Sequence, residues 1–236
     1  MLHFHVVTLF PDSIKPYLES SILGRAIEKK LIKISFYDPK QYAIGKHKRV
    51  DQRPYGGGPG MILEPTAVLR ATDAALKKIS RNRGGSTSRV QVLFFATDGE
   101  VFSEKMAKKL AKGSPKKTKH IVLICGRYEG VDYRVFKILS AKGGSAFGGK
   151  AKKISVGPYV LTGGELPAAT VIDAIARFIP GVLGKAESLE ASRVSSPEVY
   201  TRPEVLRWKD KNYRVPKVLL SGNHAKINEW KTKRTK

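Results

Sequence analysis

The sequence predicts an α/β fold, a mostly parallel sheet with helices on both faces. Short β-prone runs alternate with longer amphipathic runs along the chain, the pattern of strand–helix–strand units. The run at 121–125 is apolar without alternation, as expected of a strand covered on both faces. Glycine-rich loops follow several of these runs, and ligands on open parallel sheets bind beyond the carboxyl ends of the strands.

Each element has its own signal. Residues 4–10 are apolar and β-prone, and Pro11-Asp12 stops them. Residues 13–30 read as one helix, and 32–37 as a short strand ended by Asp38-Pro39. Pro65 opens a second helix at the position where its missing N–H costs nothing, and Val68, Leu69, Ala75, Leu76 and Ile79 form its apolar face. A strand follows at 90–96. Ser103 caps a helix to Lys112, closed by Gly113. After the 121–125 strand come a helix at 131–139, a short strand at 154–156 and a helix at 166–178. Pro167 starts that last helix, and Ile172, Ile175, Ala176 and Ile179 mark its inner face. Residues 80–89 and 140–153 are rich in Gly, Ser, Lys and Arg and read as exposed, mobile insertions. Apolar periodicity lapses over 184–202, a linker, and 203–236 carry short helices.

The 236 residues carry 44 Lys+Arg against 20 Asp+Glu, a formal charge of +24. Nucleic acid is the favoured partner, because neutralising phosphates releases condensed counterions; a merely basic solvated surface is the alternative. One cysteine, Cys125, excludes a disulfide framework and a cysteine-based zinc site. No metal site is expected. The amino terminus has neither the cationic region nor the apolar core of a signal peptide, and no apolar run approaches the ~20 residues of a membrane helix. The expected protein is soluble, cytoplasmic and free of membrane contact.

Four glycine-bearing segments carry candidate chemistry. Residues 154–167 run Ile154-Ser155-Val156-Gly157-Pro158-Tyr159-Val160-Leu161-Thr162-Gly163-Gly164-Glu165-Leu166-Pro167, a flexible backbone able to approach a ligand closely. Residues 50–61 hold Gly56, Gly57, Gly58 and Gly60, but Met61 stands where a dinucleotide fingerprint needs its third glycine. A shaped loop is favoured there over a surface turn. Gly144 to Lys150 nearly matches a phosphate-binding loop, but Ala151 replaces the magnesium-binding hydroxyl. Gly126-Arg127-Tyr128-Glu129-Gly130-Val131-Asp132 follows a strand and joins a flexible backbone to a cation, a ring and two carboxylates. Three such loops after strands can converge on one pocket.

Together, residues 50–61, 123–132 and 154–184 resemble the bacterial tRNA (guanine-N1)-methyltransferases, members of the SPOUT class. The segments 200–205 and 215–224 are similar to that family's C-terminal domain, so the resemblance spans nearly the whole chain. It implies a deep C-terminal trefoil knot in residues 1–183, a linker at 184–202, and a small helical tRNA-binding domain at 203–236. It also implies a homodimer that methylates N1 of the guanosine 3′ to the tRNA anticodon, position 37, with S-adenosylmethionine as donor. Magnesium dependence stays open. Phe94, Phe95, Gly126, Tyr128, Glu129, Val156, Gly157, Pro158, Tyr159, Val160, Leu161, Gly163 and Gly164 match the cofactor-binding positions. Phe94-Phe95-Ala96-Thr97 stands where the family usually has Tyr-Leu-Ser-Pro, and Pro158 where it usually has an acid.

Guanine N1 must lose a proton before it attacks, so a carboxylate base is expected, with a cation near O6. Arg177 matches the family arginine in the second role. The family aspartate is replaced by Ala191, which leaves Glu190 as the favoured base and Glu187 as the alternative. His47, Asp51, Arg53, Ser192 and Arg202 match RNA-binding positions, with Lys46, Lys48 and Arg49 suited to phosphate. A SPOUT methyltransferase for another RNA and a non-catalytic RNA-binding homologue remain the competing readings.

Overall fold

Strand order follows from where the β-prone runs fall and how they pair. The computed structural model describes residues 1–81, 90–112, 119–141, 151–183 and 196–234. The chain divides into two compact units, Met1–Val182 and Leu183–Lys236. The strands of the first are β1 (Leu2–Val7), β2 (Ile32–Tyr37), the two-residue pair β3 (Asp51–Gln52) and β4 (Ile62–Leu63), β5 (Val90–Val101), β6 (Lys119–Ile124) and β7 (Lys152–Ser155). Five of them form one sheet in the order β2-β1-β6-β5-β7, every pair parallel. Its helices are α1 (Lys15–Leu18), α2 (Ser21–Glu28), α3 (Pro65–Arg81), α4 (Glu104–Ala111), α5 (Tyr133–Ser140) and α6 (Glu165–Ala176).

Side-chain alternation along the strands builds two cores. Leu2, Phe4 and Val6 of β1 join Ile121, Leu123, Leu93, Phe95 and Ile154, and this face packs on α1, α2, α4 and α6. Val7, Val122, Ile124, Val90, Val92 and Phe94 point the other way, onto α3 and α5. The expected helix-covered parallel sheet is therefore present. No helix among the described residues is long and apolar enough to cross a membrane.

Four expectations are corrected. The single helix at 13–30 is two, α1 and α2, because Ser21 turns the chain with φ 49° and a side chain on Gly24 would collide with the Glu19 carbonyl. The 90–96 strand runs on to Val101: Phe95 and Glu100 both pair with Ile154 across a register shift. Gly99 permits this, since a Cβ there would lie 2.5 Å from the Ile154 backbone nitrogen. Residues 151–153 are not insertion but core and strand, with Ala151 buried; residues 82–89 and 142–150 lie outside the described residues.

The fourth correction concerns the second unit, which is not purely helical. Its hairpin of β8 (Val205–Trp208) and β9 (Lys211–Arg214) precedes α7 (Lys217–Leu220) and α8 (His224–Lys233). Lys209 supplies the turn with φ 55°, a conformation that local sequence pattern does not announce. Asn223 caps α8 by accepting from the Lys226 N–H. Arg234 pairs with Glu198 at 2.9 Å and lies 4.3 Å from the centre of the Trp230 ring.

Candidate active site

The chain leaves β6 at Ile124, buries Cys125, and turns through Gly126-Arg127-Tyr128-Glu129-Gly130. Tyr128 and Gly130 take positive φ, 59° and 119°, and the Gly130 N–H closes on the Arg127 carbonyl. Two other glycine segments are laced to this turn. On one side the Glu129 N–H donates to the Met61 carbonyl and the Leu63 N–H to the Gly130 carbonyl. Gly60, at φ 86°, lies against the Glu129 side chain, where a Cβ would come within 2.7 Å of the carboxylate. On the other side the Gly164 N–H donates to the Gly126 carbonyl at 2.8 Å, and Arg127 bridges to Gly163.

One ion pair pins the arrangement. Glu165, at the head of α6, is 3 % exposed; it accepts from Thr8 Oγ1 at 2.6 Å and faces Arg127 Nε at 2.9 Å. That approach has the spacing of an ion pair without the alignment of a hydrogen bond. The Phe10 ring packs 4.5 Å from the Arg127 guanidinium carbon. Burial, reinforced by the Glu165 charge, pushes the Cys125 thiol well above its ordinary pKa.

Between the laced loops lies a cavity of about 360 Å³, within the roughly 300–1,000 Å³ of small-molecule sites. Phe94, Phe95, Ala96 and Thr97 form one wall, Gly126 to Val131 with Tyr133 another, and Lys153 to Val156 with Tyr159 to Leu161, Gly163, Gly164 and Pro167 the rest. The lining combines aromatic rings, glycine backbone and the Glu129 carboxylate. Side chains on Gly163 or Gly164 would strike Arg127, Glu165 and the Cys125 backbone.

Comparison with known proteins identifies the family. The family model described as tRNA (Guanine-1)-methyltransferase TrmD matches residues 2–236. The chain is 38% identical over 254 residues to the tRNA (guanine-N(1)-)-methyltransferase of Lachnoclostridium phytofermentans, covering 98% of this chain and 85% of that one. It is 40% identical over 231 residues to the similarly named protein of Haemophilus ducreyi, covering 96% and 83%. The chain belongs to this tRNA methyltransferase family.

The positions matched to the family's cofactor site are mostly brought together. Phe94, Phe95, Gly126, Tyr128, Glu129, Val156, Tyr159, Val160, Leu161, Gly163 and Gly164 all line the cavity. Gly157 and Pro158 do not. The Tyr159 ring folds back over Gly157, with its hydroxyl donating to the Val156 carbonyl, and Pro158 faces outward. Arg177 ends α6 at its C-cap, away from the cavity lining. Glu187, Glu190 and Ser192 lie outside the described residues.

His47, Asp51 and Arg53 line a second and larger basin of about 1300 Å³ with Lys46, Lys48, Arg49 and Arg134. Tyr128 lines the cavity, and slight burial with the Asp51 carboxylate of the basin holds its phenol above the usual pKa. Arg202 is exposed in the second unit. Sequence reasoning missed Lys153, which lines the cavity, pairs with Asp98 at 2.6 Å and lies 4.9 Å from the Tyr133 ring centre. Its only local signal was β-strand position beside Ile154.

Proposed function

We propose that this chain methylates N1 of the guanosine at position 37, 3′-adjacent to a tRNA anticodon, acting in the cytoplasm as a homodimer. The observation that carries the reading is the lacing of three glycine segments around one cavity in a chain that matches the family end to end. S-adenosylmethionine, when bound there, supplies an electrophilic methyl group on a sulfonium. The residues that would hold it are Glu129 for the amine, Phe94 and Phe95 for aromatic contact, and the backbone at Gly126, Val156 to Leu161, Gly163 and Gly164.

The rest of the work belongs to the two chains' own side chains. Glu190 accepts the guanine N1 proton, with Glu187 as the alternative base. Arg177 stabilises negative charge growing on O6. His47, Asp51, Arg53, Ser192 and Arg202 position the RNA, and Lys46, Lys48 and Arg49 bind phosphate. We assign residues 1–183 to catalysis, 184–202 to the linker and 203–236 to tRNA binding.

The trefoil knot rests on the family resemblance of residues 123–132 and 154–184 in a chain that the family model matches over 2–236. A dimer is supported by apolar side chains of the cavity lining left open, among them Val160 at 84 % exposure and Tyr159. Such residues ask for a covering surface.

The test is methyl transfer to an unmodified tRNA transcript, with the modified atom located by mass spectrometry and magnesium removed in a parallel reaction. Methyl on N1 of that guanosine is expected, and none when adenosine replaces it. Glu190→Gln should slow single-turnover transfer by about 10²–10⁴-fold, the usual worth of a general base. Methyl on another RNA or atom, or none at all, would replace this reading with one of its two rivals. The replacement of the family aspartate by Ala191 is what keeps the non-catalytic rival in view.

A further inference from the structure

Three histidines meet inside the sheet, on the face that carries Val7 and Tyr37. His3 and His5 lie two apart on β1 and so point to one side. His120 on β6 is the register partner of His3. All three are buried. The His3 and His5 rings stack at 3.9 Å between centres, and each of the three offers a ligand nitrogen within 4.8 Å of the others.

We propose that His3, His5 and His120 bind one zinc-class divalent ion, with water as the fourth ligand, and that it staples β1 to β6. Zn–N bonds of about 2.0–2.1 Å in a tetrahedral site set ligand nitrogens ~3.3 Å apart. His5 Nε2 and His120 Nδ1 are already 3.0 Å apart, and a side-chain rotation brings His3 in.

The outer contacts are those of ligating imidazoles. His5 Nδ1 is 3.1 Å from Tyr37 Oη, and His3 Nε2 is 2.9 Å from Ser35 Oγ, both partners on β2. Such contacts hold the tautomer and ring orientation of a ligand histidine. They leave His5 Nε2 and His3 Nδ1 for the metal. Each neutral imidazole keeps one N–H, so coordination moves a proton to the outer nitrogen and releases none.

His3 and His5 are neutral at physiological pH. Burial, then His120 and the Lys33 and Lys78 ammonium groups, takes the pKa of His3 down to about 3. Burial, then His3 and His120, takes His5 to about 2. Lys33 and Lys78 oppose a dication, but both are exposed, and their charges are solvated. Three imidazoles without carboxylate or thiolate suit zinc, copper or nickel over magnesium or calcium.

The site stands at the start of β1 and β6, whereas the cofactor cavity opens beyond the end of β6. The staple therefore acts on stability. The test strips the full chain with chelator and titrates it with zinc by calorimetry, with Co²⁺ as an optical probe. One zinc per chain is expected, together with intense visible Co²⁺ bands and a higher Tm. His120→Gln should abolish these changes. Ser35→Ala, which keeps all three rings, should weaken zinc by about 10–100-fold. No uptake by the wild-type chain would overturn the proposal, as would uptake unchanged in His120→Gln and Ser35→Ala, since zinc would then sit elsewhere.

Discussion

Gly164→Ala tests whether the cavity between the glycine loops is built by lacing them together. A Cβ at residue 164 would lie 2.6 Å from Cys125 Cα and 2.9 Å from Cys125 Cβ and the Gly126 nitrogen. Ordinary contact begins at 3.4 Å, so the head of α6 and the turn after β6 must separate by about 1 Å, the opposing atoms being mostly backbone. That separation stretches the 2.8 Å hydrogen bond from the Gly164 N–H to the Gly126 carbonyl beyond useful length. Losing the bond costs about 0.5–1.5 kcal/mol, and the strain of overpacking adds about 1–3 kcal/mol. A total near 2–4 kcal/mol lowers the Tm of a unit this size by roughly 5–15 °C. The same shift displaces a cavity wall, so S-adenosylhomocysteine should bind at least tenfold more weakly by calorimetry. Gly126→Ala is the control. Its Cβ meets nothing closer than Val131 Cγ2 at 3.5 Å, and its Tm should hold. If Gly164→Ala matches wild type in both Tm and affinity, the lacing argument is wrong.

Glu165→Gln removes the charge facing Arg127 while keeping an acceptor for Thr8. A fully buried pair loses about 3–5 kcal/mol when broken; because Arg127 keeps 23% side-chain exposure, about 2–3 kcal/mol is expected in chemical denaturation, and a loss below 0.5 kcal/mol would remove Glu165 as the pin. Burial, then the Glu165 charge, holds the Cys125 thiol well above its ordinary value of 9.0 in the folded chain. Unfolding therefore releases a proton above pH 9, and stability falls as pH rises; Cys125→Ala should flatten that fall, and native protein should resist alkylation at pH 9. Binding of tRNA should weaken steeply with salt, each phosphate contact adding a log–log slope near −0.9 on duplex and −0.7 on single strands. Lys46→Gln with Arg49→Gln should reduce the slope by about two such steps, and an unchanged slope removes the basin from the RNA surface.

The sequence made most of the sheet and several helix ends legible because those signals are local. Ser103 accepts from the Met106 N–H at 3.3 Å, and Asp132 caps α5 through the Arg134 N–H. Both are short side chains placed before amphipathic runs. The extension of β5 was not legible, because Glu100 and Val101 become strand only through partners in β7. The break between α1 and α2 and the turn at Lys209 each depend on a non-glycine residue with positive φ, and residue type gives little warning of that. In the candidate site the glycines and Glu129 stood out, since bare backbone beside a carboxylate is rare. Lys153 did not, lying in a stretch whose Gly and Lys content read as insertion. Thr8 and Glu165 are 157 residues apart, and no periodicity connects them.

Those long-range contacts explain how a cavity walled by glycine can be rigid enough to bind. Glycine loses the most backbone freedom on ordering, so loops this rich in it would fold around a ligand only at an entropic cost drawn from affinity. Here much of that freedom is already spent. The Met61–Leu63 segment hydrogen-bonds one edge of the 126–132 turn, and Gly163 and Gly164 hold the other. Thr8, at the end of β1, fixes Glu165, which in turn faces Arg127 in the middle of the turn. The end of β1 thus reaches the loop through Thr8 and Glu165, and the helix that begins at Glu165 carries the fixed point into the core through Ala168, Val171 and Ile172. Bare backbone can approach a ligand because side chains elsewhere hold it still.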